Sequence, residues 1–274
     1  MKKQTMIEFS GGGAAANSAP VSNQPQIFFL IDQYINKIYN INTKLEVNMK
    51  KAFTLSEVLI TLGVIGIVVA MTLPAVINNS RNKQLEAGLK RSYSVLGQAL
   101  NMYQAETGER VLPEKEIILN DILKKYLNVI DDCGNFRNPE GVAVHSKCLQ
   151  LGSKNTVYRT YSGELITSTG YFDDGQFVLN DGSLVLVENP VHLNRMYISV
   201  DVNGLNKNPN RFGHDLFMFQ IDKKGMLLPM GVKGTDYTDE AKYCSVSSNE
   251  QYNGAGCTYK ALTDKDYFKN LPKK

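Results

Sequence analysis

The chain has 274 residues, no tryptophan and an average share of apolar side chains, enough for one domain of ordinary size with extensions. Its formal charge of +3 is carried by residues 1–52, where six lysines face three acidic side chains, so residues 53–274 are formally neutral. A folded part with no basic excess argues against nucleic-acid binding, which phosphate neutralisation drives, and no nucleic-acid partner is expected.

The first 48 residues do not read as a leader. Residues 10–19 are rich in Gly, Ala and Ser and linker-like, and residues 26–41 (QIFFLIDQYINKIYNI) are rich in Ile, Asn, Tyr and Phe. Met49-Lys50-Lys51-Ala52 forms a short basic leader by itself. The preceding Leu45-Glu46-Val47-Asn48 can be encoded with GGAGG, a ribosome-binding sequence, just before the Met49 codon. Translation is therefore expected to start at Met49, with residues 1–48 an upstream sequence read in frame and disordered. The competing reading is a genuine long leader, which yields the same mature chain.

From Val58 to Ile77 the chain carries no charge, and about twenty apolar residues span a hydrocarbon core. Lys50 and Lys51 precede this run and hold its N-terminal end in the cytoplasm by the positive-inside rule. The remainder then faces an oxidising space. Helical periodicity continues past the run: Leu85, Leu89, Tyr93, Leu96, Leu100 and Tyr103 form one apolar stripe, and Gly108 is a suitable stop. One helix from about Phe53 to Thr107 is predicted, apolar all round in its first half and amphipathic in its second. Glu57 stands out, because a carboxylate within a membrane helix is costly unless it finds a partner.

The stretch KKAFTLSEVLITL, continuing to TLPAVI, resembles the N-terminus of type IV prepilins and of type II secretion pseudopilins. The resemblance covers the leader and about 25 residues after it. It implies that prepilin peptidase cuts between Ala52 and Phe53 and methylates the new amine. The family pattern has Gly where Ala52 stands. It further implies that Glu57 neutralises the N-terminal amine of a neighbouring subunit, and that Pro74 lies where many pilins kink their helix. The implied partners are the peptidase, other pilin or pseudopilin subunits and an inner-membrane assembly platform. The implied location is the inner membrane, single-pass with the head outside the cytoplasm, and then a pilus or pseudopilus filament. The expected segments are 1–48 extension, 49–52 leader, 53–80 membrane and filament-core helix, and 81–274 head.

Beyond Pro113, residues Ile117, Ile118, Ile122, Leu123, Tyr126, Leu127 and Ile130 predict a short amphipathic helix. Residues 131–170 read as loops. Strand signals follow at 176–179, 183–188, 196–202, 215–221 and 226–230, the first two flanking the turn Asn180-Asp181-Gly182. The expected fold class is α+β: a long N-terminal helix packed on a small antiparallel head sheet of four or five strands, the architecture that the resemblance also implies.

Cys133, Cys148, Cys244 and Cys257 lie in two close pairs with no zinc spacing, and the histidines His145, His192 and His214 are scattered. Two local disulfides suit an exported head, although four cysteines allow three connectivities. The segment with Cys244 and Cys257 looks like the disulfide-closed loop that many pilins carry near the C-terminus. In the loop 201–215 (DVNGLNKNPNRFGHD), Asp201, Asn203, Asn208, Asn210 and Asp215 offer the oxygens that calcium takes, and the same residues suit Asx-capped turns. Asp201, Asn203 and Asp215 are the candidate ligands, and no other cofactor is expected. No GxSxG, P-loop, HExxH or GxGxxG in strand–helix context occurs, and the adjacent acids Asp131-Asp132 and Asp173-Asp174 read as turn residues. A structural filament subunit and no enzyme is therefore expected. The alternatives are a signal-anchored extracytoplasmic enzyme, and a head acting as an adhesin or DNA-uptake receptor.

Overall fold

The computed structural model describes residues 53–115, 117–135, 147–149, 157–168, 170–190 and 193–272. The expected extension and leader, Ala52 included, lie outside them, as do His145 and His192.

Helix α1 runs over Leu55–Thr107, 53 residues with Pro74 inside. It stops at Gly108, whose φ of +77° suits a residue without Cβ. The division between the chain's two units falls within α1, between Gly66 and Ile67. On the N-terminal side every described residue is exposed. On the C-terminal side exposure continues to Pro74, and burial begins at Leu85. There Leu85, Leu89, Leu96 and Leu100 enter the core with Ser92 and Ala99. Ser92 lies on the buried face where the stripe expected Tyr93. Tyr93 sits at the edge, its ring stacked on Phe219 at 5.5 Å. Asn82 Nδ2 donates to the Phe268 carbonyl at 2.5 Å, and Arg91 pairs with Asp181 of the 180–182 turn.

Helix α2 (Leu119–Tyr126) is shorter than the apolar pattern suggested. The helix stops before Val129, and Val129–Asp132 forms strand β1 at the sheet edge, so Ile130 belongs to a strand. Strands β2 (Gly175–Leu179), β3 (Leu184–Glu188), β4 (Tyr197–Asp201), β5 (Leu216–Ile221) and β6 (Leu227–Pro229) complete a sheet in sequential order β1 to β6, with every neighbouring pair antiparallel. The head thus has six strands rather than four or five. Gly182, at φ +87°, turns β2 into β3, and Asp181 Oδ1 accepts from the Ser183 amide at 2.9 Å.

Alternation along the strands makes two cores. Phe177, Val185, Val187, Ile198, Val200, Phe217 and Phe219 pack with α1 and α2. Val178, Leu184, Leu186, Tyr197 and Met218 pack on the other side with Tyr158, Ile166, Phe172, Phe212 and Met230 from the loops. Strands β2 to β5 are consequently buried along their whole length, which is why they read as apolar runs more than as alternation. Helices α3 (Glu240–Tyr243) and α4 (Thr258–Thr263) follow the sheet. Thr258 Oγ1 accepts from the Met218 amide at 3.0 Å, which ties α4 to β5. The result is the α+β architecture of a long N-terminal helix with an antiparallel sheet.

Candidate functional site

The N-terminal end of α1 is built by four residues. Thr54 caps the helix, and Glu57 lies three positions on. Glu57 Oε2 accepts from the Thr54 amide at 2.9 Å and from its hydroxyl at 3.1 Å. Thr54 Oγ1 accepts from the Glu57 amide at 3.2 Å. This reciprocal pair is a capping box, which satisfies amides that the helix itself leaves open. The carboxylate also sits at the positive end of the helix dipole. Both side-chain bonds fall on Oε2, and Oε1 takes no hydrogen bond among the described residues. Thr54 was missed in the sequence reading. Its signal was there as T-L-S-E ahead of an apolar run.

Phe53 and the large apolar side chains as far as Leu73 show exposures from 42 % at Val58 to 79 % at Leu55. Such a face is stable only in lipid or against other apolar helices. Among the described residues, α1 is the helix long and apolar enough to cross a membrane. Pro74 is exposed within it. Having no N–H, it cannot donate to the Ala70 carbonyl one turn earlier.

The four cysteines form two bonds, Cys133–Cys148 with Cα atoms 5.8 Å apart and Cys244–Cys257 at 4.9 Å. The first pins the chain after β1 to a loop over the outer core. The second closes the segment between α3 and α4.

Asp201 and Asp215, far apart in the loop sequence, meet at its base, where β4 ends and β5 begins. Both are fully buried. Asp201 accepts from the Gly204 amide at 2.9 Å, the Asn203 amide at 3.3 Å and the Tyr158 hydroxyl at 2.9 Å. Asp215 accepts from the Asn210 amide at 2.9 Å and the Arg211 amide at 2.7 Å. Burial, and next the neighbouring Asp215 charge, raise the Asp201 carboxyl above the usual carboxylate range; burial raises Asp215 as well. Asn208 is exposed and enters through its backbone carbonyl, which accepts from Asn203 Nδ2 at 3.3 Å. Tyr158 lies 43 residues before Asp201, and nothing in the sequence pointed to it.

Of the remaining acidic pairs, Asp173-Asp174 keeps its turn reading, in the bend before β2, and Asp131-Asp132 departs from it. Asp131 and Asp132 lie in β1 and pair with Lys147 and Lys124 at 3.2 and 2.9 Å. Asp173 and Asp174 lie with Glu188, their oxygens within 4.8 Å of one another, and Asp174 accepts from the Asn189 amide at 2.8 Å. His214 is buried, and its pKa is lowered to about 3 by burial and then by Arg211 and Arg81.

No curated protein and no solved structure matches the chain. A family model described as the prokaryotic N-terminal methylation motif matches residues 47–73, the leader and the apolar start of α1. That motif suggests a structural subunit rather than an enzyme, and with the long apolar helix it fits a pilin-like, membrane-anchored single-pass protein. Residues 47–73 carry the type IV pilin and pseudopilin signature, with Phe53, Thr54 and Glu57 at the helix start.

Proposed function

We propose that the chain is a structural subunit of a type IV pilus-like or type II secretion pseudopilus filament. It enters the inner membrane through residues 53–80 with its head outside the cytoplasm. Prepilin peptidase removes everything before Phe53 and methylates the new amine. The subunit then leaves the membrane for the filament on an assembly platform.

One observation carries this reading: an apolar helix surface exposed all round begins with a carboxylate four residues from the expected cut. Lipid and a bundle of like helices satisfy the apolar side chains equally well, so exchange between them costs little. The carboxylate is what distinguishes them. A buried amine and a buried carboxylate are each costly alone and tolerable together. A partner's methylated Phe53 amine placed at Glu57 therefore sets the register of neighbouring subunits and penalises the others. The capping box supports this role, because Thr54 holds the carboxylate at the helix start and leaves Oε1 open.

Mass spectrometry of the mature N-terminus tests the processing. The expected species begins with N-methylated Phe53. Retention of the Ala52–Phe53 bond in the mature protein would overturn the proposal and leave an anchored extracytoplasmic protein.

A further inference from the structure

Asp201 and Asp215 are a pair of buried carboxylates whose described partners are all neutral N–H and O–H groups. Buried like charges need a counter-charge or a proton. The hydrogen bonds leave acceptor capacity on Asp201 Oδ2 and on both Asp215 oxygens, since a carboxylate oxygen has two lone pairs.

Two further oxygens on the same loop lack partners. Asn203 Oδ1 and Asn210 Oδ1 are buried and accept no hydrogen bond, and the whole Asn210 side chain is 7 % exposed. Both belong to residues that hydrogen-bond the carboxylates. Asn203 donates its amide to Asp201, and its side chain interacts with the Asp215 carboxylate. Asn210 donates its amide to Asp215 Oδ2. Their orientation is determined by the loop. Asn203 Nδ2 donates to the Lys207 carbonyl at 3.1 Å, and Asn210 Nδ2 donates to the Leu205 carbonyl at 2.9 Å. Exchanging nitrogen and oxygen in either amide would set oxygen against oxygen. The two orphaned acceptors are thus a consequence of the fold.

We propose that Asp201, Asn203, Asn210 and Asp215 hold a calcium ion at the base of the β4–β5 loop. The donor set is all oxygen, which suits a hard cation, and it lacks the imidazole or thiolate that zinc and copper favour. Two carboxylates and two amide oxygens leave room for water, within the six to eight ligands of calcium's adaptable shell. Magnesium demands a tighter octahedron. The ion neutralises both acids and gives each amide oxygen a partner. A surface cleft lined by Arg81, Asp181, Asn203 and Lys207 reaches the site on the side of Asn203, its part-exposed member. Gly204, at φ +83°, seats the loop against the β2–β3 turn, where a Cβ would lie 2.3 Å from the Gly182 carbonyl oxygen.

The test uses the full chain in detergent micelles, stripped with EDTA. Calcium at about 100 times its Kd is expected to raise the head's melting temperature by roughly 5–10 °C. Terbium, a hard stand-in for calcium, is expected to luminesce on tyrosine excitation, with Tyr158 as antenna, and calcium is expected to quench that emission by displacement. Asp215→Asn should abolish both responses. Asn203→Ala, at a part-exposed position, should keep the fold and weaken calcium binding about tenfold or more, and it decides the matter if Asp215→Asn fails to fold. Identical melting in calcium and EDTA overturns the proposal. So does terbium emission unchanged by Asn203→Ala, or an equal response to magnesium. A wild-type protein that ignores calcium, together with an Asp201→Asn variant that melts as high or higher, would show that a proton, and no metal, occupies the pair.

Discussion

Two stretches of the same helix solve opposite problems. Residues 55–74 are apolar on every face and exposed on every face. Residues 85–103 mix leucines with lysine, arginine, glutamine and asparagine, and only one face is buried, against the head sheet. The second stretch finishes its packing within its own chain. The first carries apolar surface that its own described residues leave uncovered, so its partner must be lipid or other helices. The difference lies in the angular spread of apolar residues around the helix, since both stretches have helical backbone throughout.

The largest expected effect separates the two stretches at Glu57. Glu57→Ala should abolish most filament formation, read as the sheared-filament fraction, while membrane insertion and head folding stay at wild-type level. Normal filament yield would remove the pairing role. The next effect lies in the second stretch. Leu89→Ala deletes a fully buried side chain and should cost about 2–5 kcal/mol of head stability in thermal or denaturant unfolding. The matching change in the first stretch, Leu62→Ala, should leave head unfolding within about 0.5 kcal/mol. Equal losses from the two would erase the comparison.

Within the head, Cys244→Ser with Cys257→Ser opens a loop of 13 residues and should cost about 3 kcal/mol, measured by unfolding with and without reductant. An unchanged midpoint would show that α4 and the loop between α3 and α4 hold without the bond. A smaller and purely local effect is expected at the cap. Thr54→Ala removes the reciprocal bonds with Glu57 and should destabilise the first turn by about 1 kcal/mol, seen as faster amide exchange over residues 54–58. Unaltered exchange there would reduce Thr54 to a bystander.

Much of this was legible in the amino acids. The apolar run, the stop at Gly108 and the turn Asn180-Asp181-Gly182 all rest on short-range physics: side-chain period, a positive φ and a tight turn. Errors came where two patterns overlapped or where distant residues chose. Ile130 continues the helical spacing of α2, and pairing with β2 makes it a strand residue instead. Tyr93 and Ser92 are adjacent on the stripe, and the room beside Phe219 set the larger ring at the edge. The outer core drew on Tyr158, Ile166 and Phe172 from segments with no strand or helix period.

The membrane-competent helix, its capping box and its carboxylate are properties of adjacent residues, readable in order because helical contacts reach only three or four positions. The six-strand order, the burial of the sheet on both faces and the meeting of Asp201 with Asp215 and Tyr158 belong to the tertiary structure. They depend on contacts between residues tens of positions apart, whose formation is decided by which surfaces exclude water together and leaves no periodic trace in the chain.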